Sequence, residues 1–163
     1  MRGKMLMDIL MVCTGNICRS PMAEGLLRQM LSKKRAANIR IHSAGTHGLD
    51  DQPAAPFAIQ AAAEVGIDIS GHRARSLDRD MVSKADLILV MEPFHREIVA
   101  RAVPREKSDK LRLLADFERP RQSDIIDDPY NHSLTVYRAC LYRIQHCLEG
   151  VVHHLEPADA HGV

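Results

Sequence analysis

The apolar run Ile9-Leu10-Met11-Val12 passes through a short polar stretch, Cys13 to Ser20, straight into a helical stripe that opens at Pro21. Met22, Leu26 and Met30, with Ala23, Leu27 and Leu31, fall on one broad helical face. That handover from strand to helix recurs along the chain. Met7–Val12 predicts a buried strand and Ile39–Ala44 a second one. Pro53–Val65 predicts an Ala-rich helix with Phe57, Ala58, Ala61, Ala62 and Val65 facing inward, stopped at Gly66. Ala85–Met91 predicts a third strand, with a helix following from Pro93, and Leu111–Leu114 a short fourth strand. The last helix is marked by Leu134, Tyr137, Leu141, Ile144, Leu148, Val151 and Leu155, spaced alternately by three and four. Strands alternating with helices imply an α/β fold: a three-layer, doubly wound, four-stranded parallel sheet with helices on both faces. Functional loops in such a fold gather at the carboxyl ends of the strands.

The 163 residues are expected to form one domain spanning 1–163, with loose termini at about 1–6 and 157–163. A net charge of +1 gives no electrostatic case for nucleic acid or an acidic membrane as partner. The N-terminal apolar stretch is too short to span a bilayer, is broken by Asp8, and reads as no secretory leader, so no membrane insertion and a cytoplasmic location are expected. Cys13, Cys18, Cys140 and Cys147 are then free thiols. Neither close pair is a C-x-x-C, so no zinc site, and no other metal or cofactor, is expected. Cys140 and Cys147, seven apart on one helix face, read as core. No sequence feature fixes an oligomeric state.

Chemistry concentrates in Cys13-Thr14-Gly15-Asn16-Ile17-Cys18-Arg19-Ser20. The first N–H groups of a helix lack internal partners and bind anions. A cysteine beside them has its thiolate stabilised, and an arginine can clamp two phosphate oxygens at once. C-x5-R alone is a weak signal. Its strength lies in the strand before it, in Gly15 and Asn16, which tolerate tight turns, and in Ser20-Pro21 opening a helix. No G-x-x-x-x-G-K-[ST] occurs, which excludes that type of nucleotide-binding loop.

The nonapeptide Cys13 to Pro21 resembles the active-site loop of the low-molecular-weight protein tyrosine phosphatases. Asp128-Pro129-Tyr130 resembles the general-acid loop of that family, and Ser43-Ala44-Gly45-Thr46 with Gly71-His72 match further elements in the right order. The resemblance implies a two-step reaction without metal, on phosphotyrosine and aryl phosphates, at mildly acidic pH. Cys13 would attack phosphorus, while Arg19 and the loop residues Thr14, Gly15, Asn16, Ile17, Cys18 and Ser20 hold the oxygens. Asp128 would protonate the leaving phenolate and then activate water, with Asp127 the next choice. Pro129 favours Asp128 by holding it extended. Ser20 would donate to the Cys13 sulfur, and Asn16, Ser43 and His72 match a supporting hydrogen-bond network. Cys18 has two readings: a small buried side chain, or a thiol forming a reversible disulfide with Cys13 under oxidation.

The chain departs from the family pattern around the rim. Asn131 stands where a second aromatic often follows Asp-Pro-Tyr, and Leu49 where animal members often carry an aromatic. Leu49, Tyr130 and Asn131 are the expected substrate rim. An aliphatic residue at 49 resembles bacterial members acting on tyrosine kinases that control exopolysaccharide export, which makes a phosphotyrosine protein such as a tyrosine kinase the expected partner. Glu92 replaces a more usual aspartate. Two alternatives stay open. An arsenate reductase shares the fold and loop but needs relay cysteines, and residues 70–110 contain none. A catalytically silent phosphate-binding module is the other.

Overall fold

The computed structural model describes residues 6–156, so the expected loose termini lie, Leu6 aside, outside the described residues. Four parallel strands, β1 (Met7–Cys13), β2 (Ile39–Gly45), β3 (Leu87–Val90) and β4 (Leu111–Leu113), form one sheet in the order β2-β1-β3-β4. The chain leaves β1 toward β2 on one side and later crosses to β3 on the other. The carboxyl end of β1 thus lies where the winding reverses, the place where open parallel sheets leave a crevice for ligands.

Strand side chains alternate between faces. Ile9, Met11 and Cys13 of β1 join a core under α1 (Arg19–Met30), α3 (Pro56–Glu64) and α6 (Leu134–Leu155). Leu10 and Val12 join a second core under α4 (Arg79–Lys84) and α5 (Pro93–Ala100). The expected three layers are therefore present, and the central strands, β1 from Ile9 onward and β3, are apolar on both faces because each face is covered. A single turn, α2 (Lys33–Ala36), links α1 to β2. In α6, Tyr137, Leu141, Ile144, Leu148, Val151 and Leu155 are all buried, and Cys140 and Cys147 lie in the same core. Gly150 lets α6 press on the turn before it: a Cβ there would stand 2.0 Å from the Phe117 carbonyl oxygen.

Several boundaries differ from the sequence reading. Helix α1 starts at Arg19, because Met22 N–H already bonds the Cys18 carbonyl, so Pro21 sits third. Its missing N–H is still one of the orphan first-turn donors. Helix α3 starts at Pro56 and not Pro53, since a residue before proline is pushed out of the helical region, and Ala55 is extended (φ −57°, ψ 141°). Phe57 and Val65, expected inward, are 42% and 43% exposed, Phe57 keeping an edge-on contact with Tyr137, and Ala58, Ala61 and Ala62 form the inward face. Helix α4 is too short to announce itself by periodicity; Asp78 caps it, accepting from Met81 N–H at 2.8 Å.

Candidate active site

Residues 14–18 leave β1 as a tight loop and re-enter the fold as α1. The loop's carbonyls are fastened from outside. Thr46 N–H bonds the Cys13 carbonyl, His47 N–H that of Thr14, Leu49 N–H that of Gly15, and Ala55 N–H that of Ile17, at 2.8–3.1 Å. His72 Nε2 donates to the Asn16 carbonyl at 2.7 Å. Each trans peptide sets its N–H opposite its carbonyl, so the loop amides face the other way, into the cradle. Gly45 permits this closeness; a Cβ there would lie 2.3 Å from the Thr14 carbonyl oxygen.

Asn16 occupies the left-handed region (φ 60°) and is wholly buried, a conformation that neighbours must hold in place. Its amide nitrogen donates to Ser20 Oγ (2.8 Å) and Ser43 Oγ (2.9 Å), and its Oδ1 accepts from Arg75 N–H (2.9 Å). The Ser43 hydroxyl in turn donates to Glu24 at 2.7 Å. Since Ser20 Oγ already accepts from Asn16, its proton is free for the Cys13 sulfur, 2.9 Å away. Asn16, Ser20, Ser43 and His72 thus meet around the loop.

Arg19 is 1% exposed. One amino group donates to Glu92 and to the Ile126 carbonyl (2.8 Å), and the other lies 3.4 Å from Asp128. Burial works against its charge, but Cys13, Glu92 and Asp128 together hold its pKa above the ordinary guanidinium value. Its Nε has no partner. A buried donor left unmet is rare, and this one belongs to a side chain lining the same cleft as Cys13.

That cleft, about 350 Å³, is floored by the loop and walled by Ile17, His47, Leu49 and Tyr130, with Asp128 at its mouth. Asp128 Oδ1 accepts from Tyr130 N–H at 3.1 Å, which fixes how the ring follows the carboxylate. Asn131, expected on the rim, does not line the cleft. It takes φ 63° and turns the chain toward α6, work for which an asparagine is suited and an aromatic is not. Asp127, the second choice of acid, is exposed and also outside the cleft. The segment ahead of Asp128 is pinned by Arg143 of α6, which bonds the Ser123 carbonyl (2.8 Å), the Ile125 carbonyl and buried Glu118 (3.2 Å).

Three residues of the site escaped the sequence reading of roles. Glu92, just after β3, is the carboxylate behind Arg19. His47 supplies part of the wall. His95, wholly buried on α5, lies with Nε2 2.9 Å from Thr14 Oγ1 and Nδ1 unpartnered. Burial, then Arg19 and His47, lower its pKa to about 3, so it is neutral. A proton on Nε2 leaves only a lone pair unmet, the cheaper choice. Cys18 is buried 3.3 Å from the Tyr137 hydroxyl, and burial pushes its thiol up to about 12. The thiol is therefore protonated at neutral pH. Among the described residues, no three His, Cys, Asp or Glu side chains come together as a metal-holding group.

The sequence matches the family model described as low molecular weight phosphotyrosine protein phosphatase over residues 8–160. It is 43% identical over 141 residues to a probable low molecular weight protein-tyrosine-phosphatase, EpsP, of Ralstonia nicotianae, covering 86% of this chain and 90% of that one. It is 34% identical over 132 residues to the protein-arginine-phosphatase of Bacillus subtilis, covering 81% and 85%. The crystal structure of the tyrosine phosphatase Wzb from Escherichia coli K30 in complex with sulphate superposes with a TM-score of 0.80 at 33% identity, covering 93% of this chain and 99% of that one.

Proposed function

Because this chain belongs to the low molecular weight phosphotyrosine protein phosphatase family, we propose that it hydrolyses phosphotyrosine and aryl phosphates through a phosphocysteine formed on Cys13. The observation that carries this reading is the unmet Nε of a fully buried Arg19 on the wall of the Cys13 cleft. A phosphate oxygen supplies the acceptor that the protein does not.

In the first step the Cys13 thiolate attacks phosphorus; the S–P bond forms as the P–O bond to the phenol breaks. The three equatorial oxygens lie against the inward loop amides and the Arg19 Nε–H and amino group, donors already in place before charge develops. Reaching phosphate requires that amino group to exchange its 3.4 Å contact with Asp128, which frees the carboxyl to deliver its proton to the phenolate. In the second step Asp128 takes a proton from water, oxygen attacks phosphorus, and Cys13 leaves as thiolate with the Ser20 hydroxyl on its sulfur.

Ile17, Leu49 and Tyr130 give the phenyl ring apolar walls. A tyrosine kinase is the protein substrate we favour, on the strength of aliphatic Leu49 at the rim. A cytoplasmic setting is supported by four unpaired, buried thiols. No helix among the described residues is long and apolar enough to cross a membrane.

A second reading, phosphoarginine hydrolysis, is favoured by the relative named for that activity. A guanidino group carries several N–H donors, and the cleft lining offers it a single carboxylate, Asp128. Comparing kcat/KM on phosphotyrosine and phosphoarginine peptides without added metal decides between the readings. Acid quench with labelled aryl phosphate should trap phosphate on Cys13 and none on Cys13→Ser. Full turnover by Cys13→Ser overturns the mechanism.

A further inference from the structure

Among the described residues, the buried polar side chains are few, and Asp8, His42, Ser43, Asn16 and Ser20 are five of them. Buried polar groups are costly unless bonded to one another. These five, joined through Arg75, make one continuous path that ends at Cys13.

The path starts on the neighbouring strands β1 and β2. Asp8 pairs with Arg40 and Leu10 with His42 in the parallel register, so Asp8 and His42 are diagonal neighbours on one face. His42 Nε2 lies 2.6 Å from Asp8 Oδ1, and His42 Nδ1 lies 2.6 Å from an Arg75 amino group. A guanidinium only donates. Nδ1 is therefore the acceptor toward Arg75, and Nε2–H donates to Asp8. Asp8 is itself held, its N–H donating to Asp86 at 2.7 Å and its other oxygen 3.6 Å from Arg40. Arg75 is fixed twice more: Nε donates to the Ser43 carbonyl, and its backbone N–H to Asn16 Oδ1, both at 2.9 Å. Asn16 is the left-handed residue of the loop, and it holds Ser20 against the nucleophile.

We propose that His42 is a positioning residue for the phosphate-binding loop: backed by Asp8, its Nδ1 holds Arg75 so that the Arg75 backbone N–H pins Asn16. This rests on the reading of Cys13 as nucleophile. Leucine at 42 offers Arg75 nothing to donate to, whereas asparagine offers an oxygen near the position of Nδ1 but cannot reach Asp8.

The test compares wild type, His42→Leu and His42→Asn, with folding checked by near-ultraviolet circular dichroism. Two rates are read: alkylation of Cys13 by iodoacetate, and turnover of p-nitrophenyl phosphate. His42→Leu should lower alkylation and kcat by about tenfold with KM within about twofold, the cost of misplacing a site without touching its ligand. His42→Asn should recover most of both losses. A folded His42→Leu with wild-type rates overturns the proposal, as does His42→Asn performing no better than His42→Leu. If His42→Leu does not fold, Asp8→Ala, which removes the acceptor behind His42, takes its place. Alkylation slower than wild type is then expected, and an unchanged rate overturns the proposal. Alkylation needs no phosphatase turnover. A split in alkylation with no aryl phosphate hydrolysis by wild type would thus uphold His42 while sinking the function proposed above.

Discussion

Glu92 accepts a hydrogen bond from the guanidinium of Arg19, so the end of β3 supports the cation that faces the nucleophile at the end of β1. The pair spans the two central strands, and Arg19 is 1% exposed against 23% for the Glu92 side chain.

Removing that support strands a buried charge. Glu92→Ala should lower kcat/KM on aryl phosphates by about 10–100-fold and cost about 2–3 kcal/mol of stability, below the range for fully buried pairs because Glu92 is partly solvated. Glu92→Gln keeps an acceptor and should lose less. Wild-type kcat/KM in Glu92→Ala, from steady-state kinetics, would show that the Ile126 carbonyl alone positions the arginine.

Asp128 is the proposed proton donor to the leaving group. Asp128→Asn should slow phosphorylation of Cys13 by about 10²–10³-fold, and least for phenols acidic enough to leave unaided. Vanadate affinity should change little, since an oxyanion bound by the loop does not need the acid. Rapid-quench rates across a series of substituted phenyl phosphates measure both. A uniform loss across the series would remove Asp128 from the acid role.

Tyr130 offers its ring to the substrate while half exposed itself. Tyr130→Ala should raise KM for phenyl phosphate by about fivefold, equal to about 1 kcal/mol of lost ring contact, with kcat held within about twofold. Alkyl phosphates should be indifferent. Equal effects on both substrate types would mean that Tyr130 acts through Asp128, whose carboxylate accepts its backbone N–H.

His95 gives the protein a pH-dependent stability with a definite sign. Its pKa is held at about 3 against an ordinary 6.5. Between those values the unfolded chain binds a proton that the native state refuses, so stability falls as pH falls, by up to about 1.4 kcal/mol per unit from this group. His95→Asn should take up about one proton fewer on unfolding across that window, as read from urea denaturation at several pH values. An unchanged slope would mean that His95 titrates normally in the folded state.

The sheet, the central helices and the loop were legible because each rests on local pattern. The apolar runs Ile9–Val12 and Leu87–Val90 are each four consecutive residues, and a C-x5-R loop carries its own flanks. Asp128 was legible through its proline. What the sequence hid depends on contacts between distant segments. Glu92 stands 73 residues from Arg19 and Thr14 stands 81 from His95, and nothing local in either partner announces the other. Asn131 was read as part of the rim from its place after Tyr130, but it does not line the cleft, and a left-handed turn toward α6 governs what stands there. Phe57, expected inward, lies in the first turn of α3, where it meets Tyr137 edge-on and stays partly uncovered.

The fastening of the acid segment has a consequence for dynamics. Arg143 holds the carbonyls of Ser123 and Ile125, and Arg19 holds that of Ile126. Only residues 127 and 128 then remain as free chain ahead of the carboxylate, a reach of about 7 Å. That is too short a tether for a lid that swings away and returns. On that side the carboxylate is thus placed beside the cleft by fastened chain, not delivered to it by a long swinging loop. The water that ends each cycle enters by the route the phenol has just left.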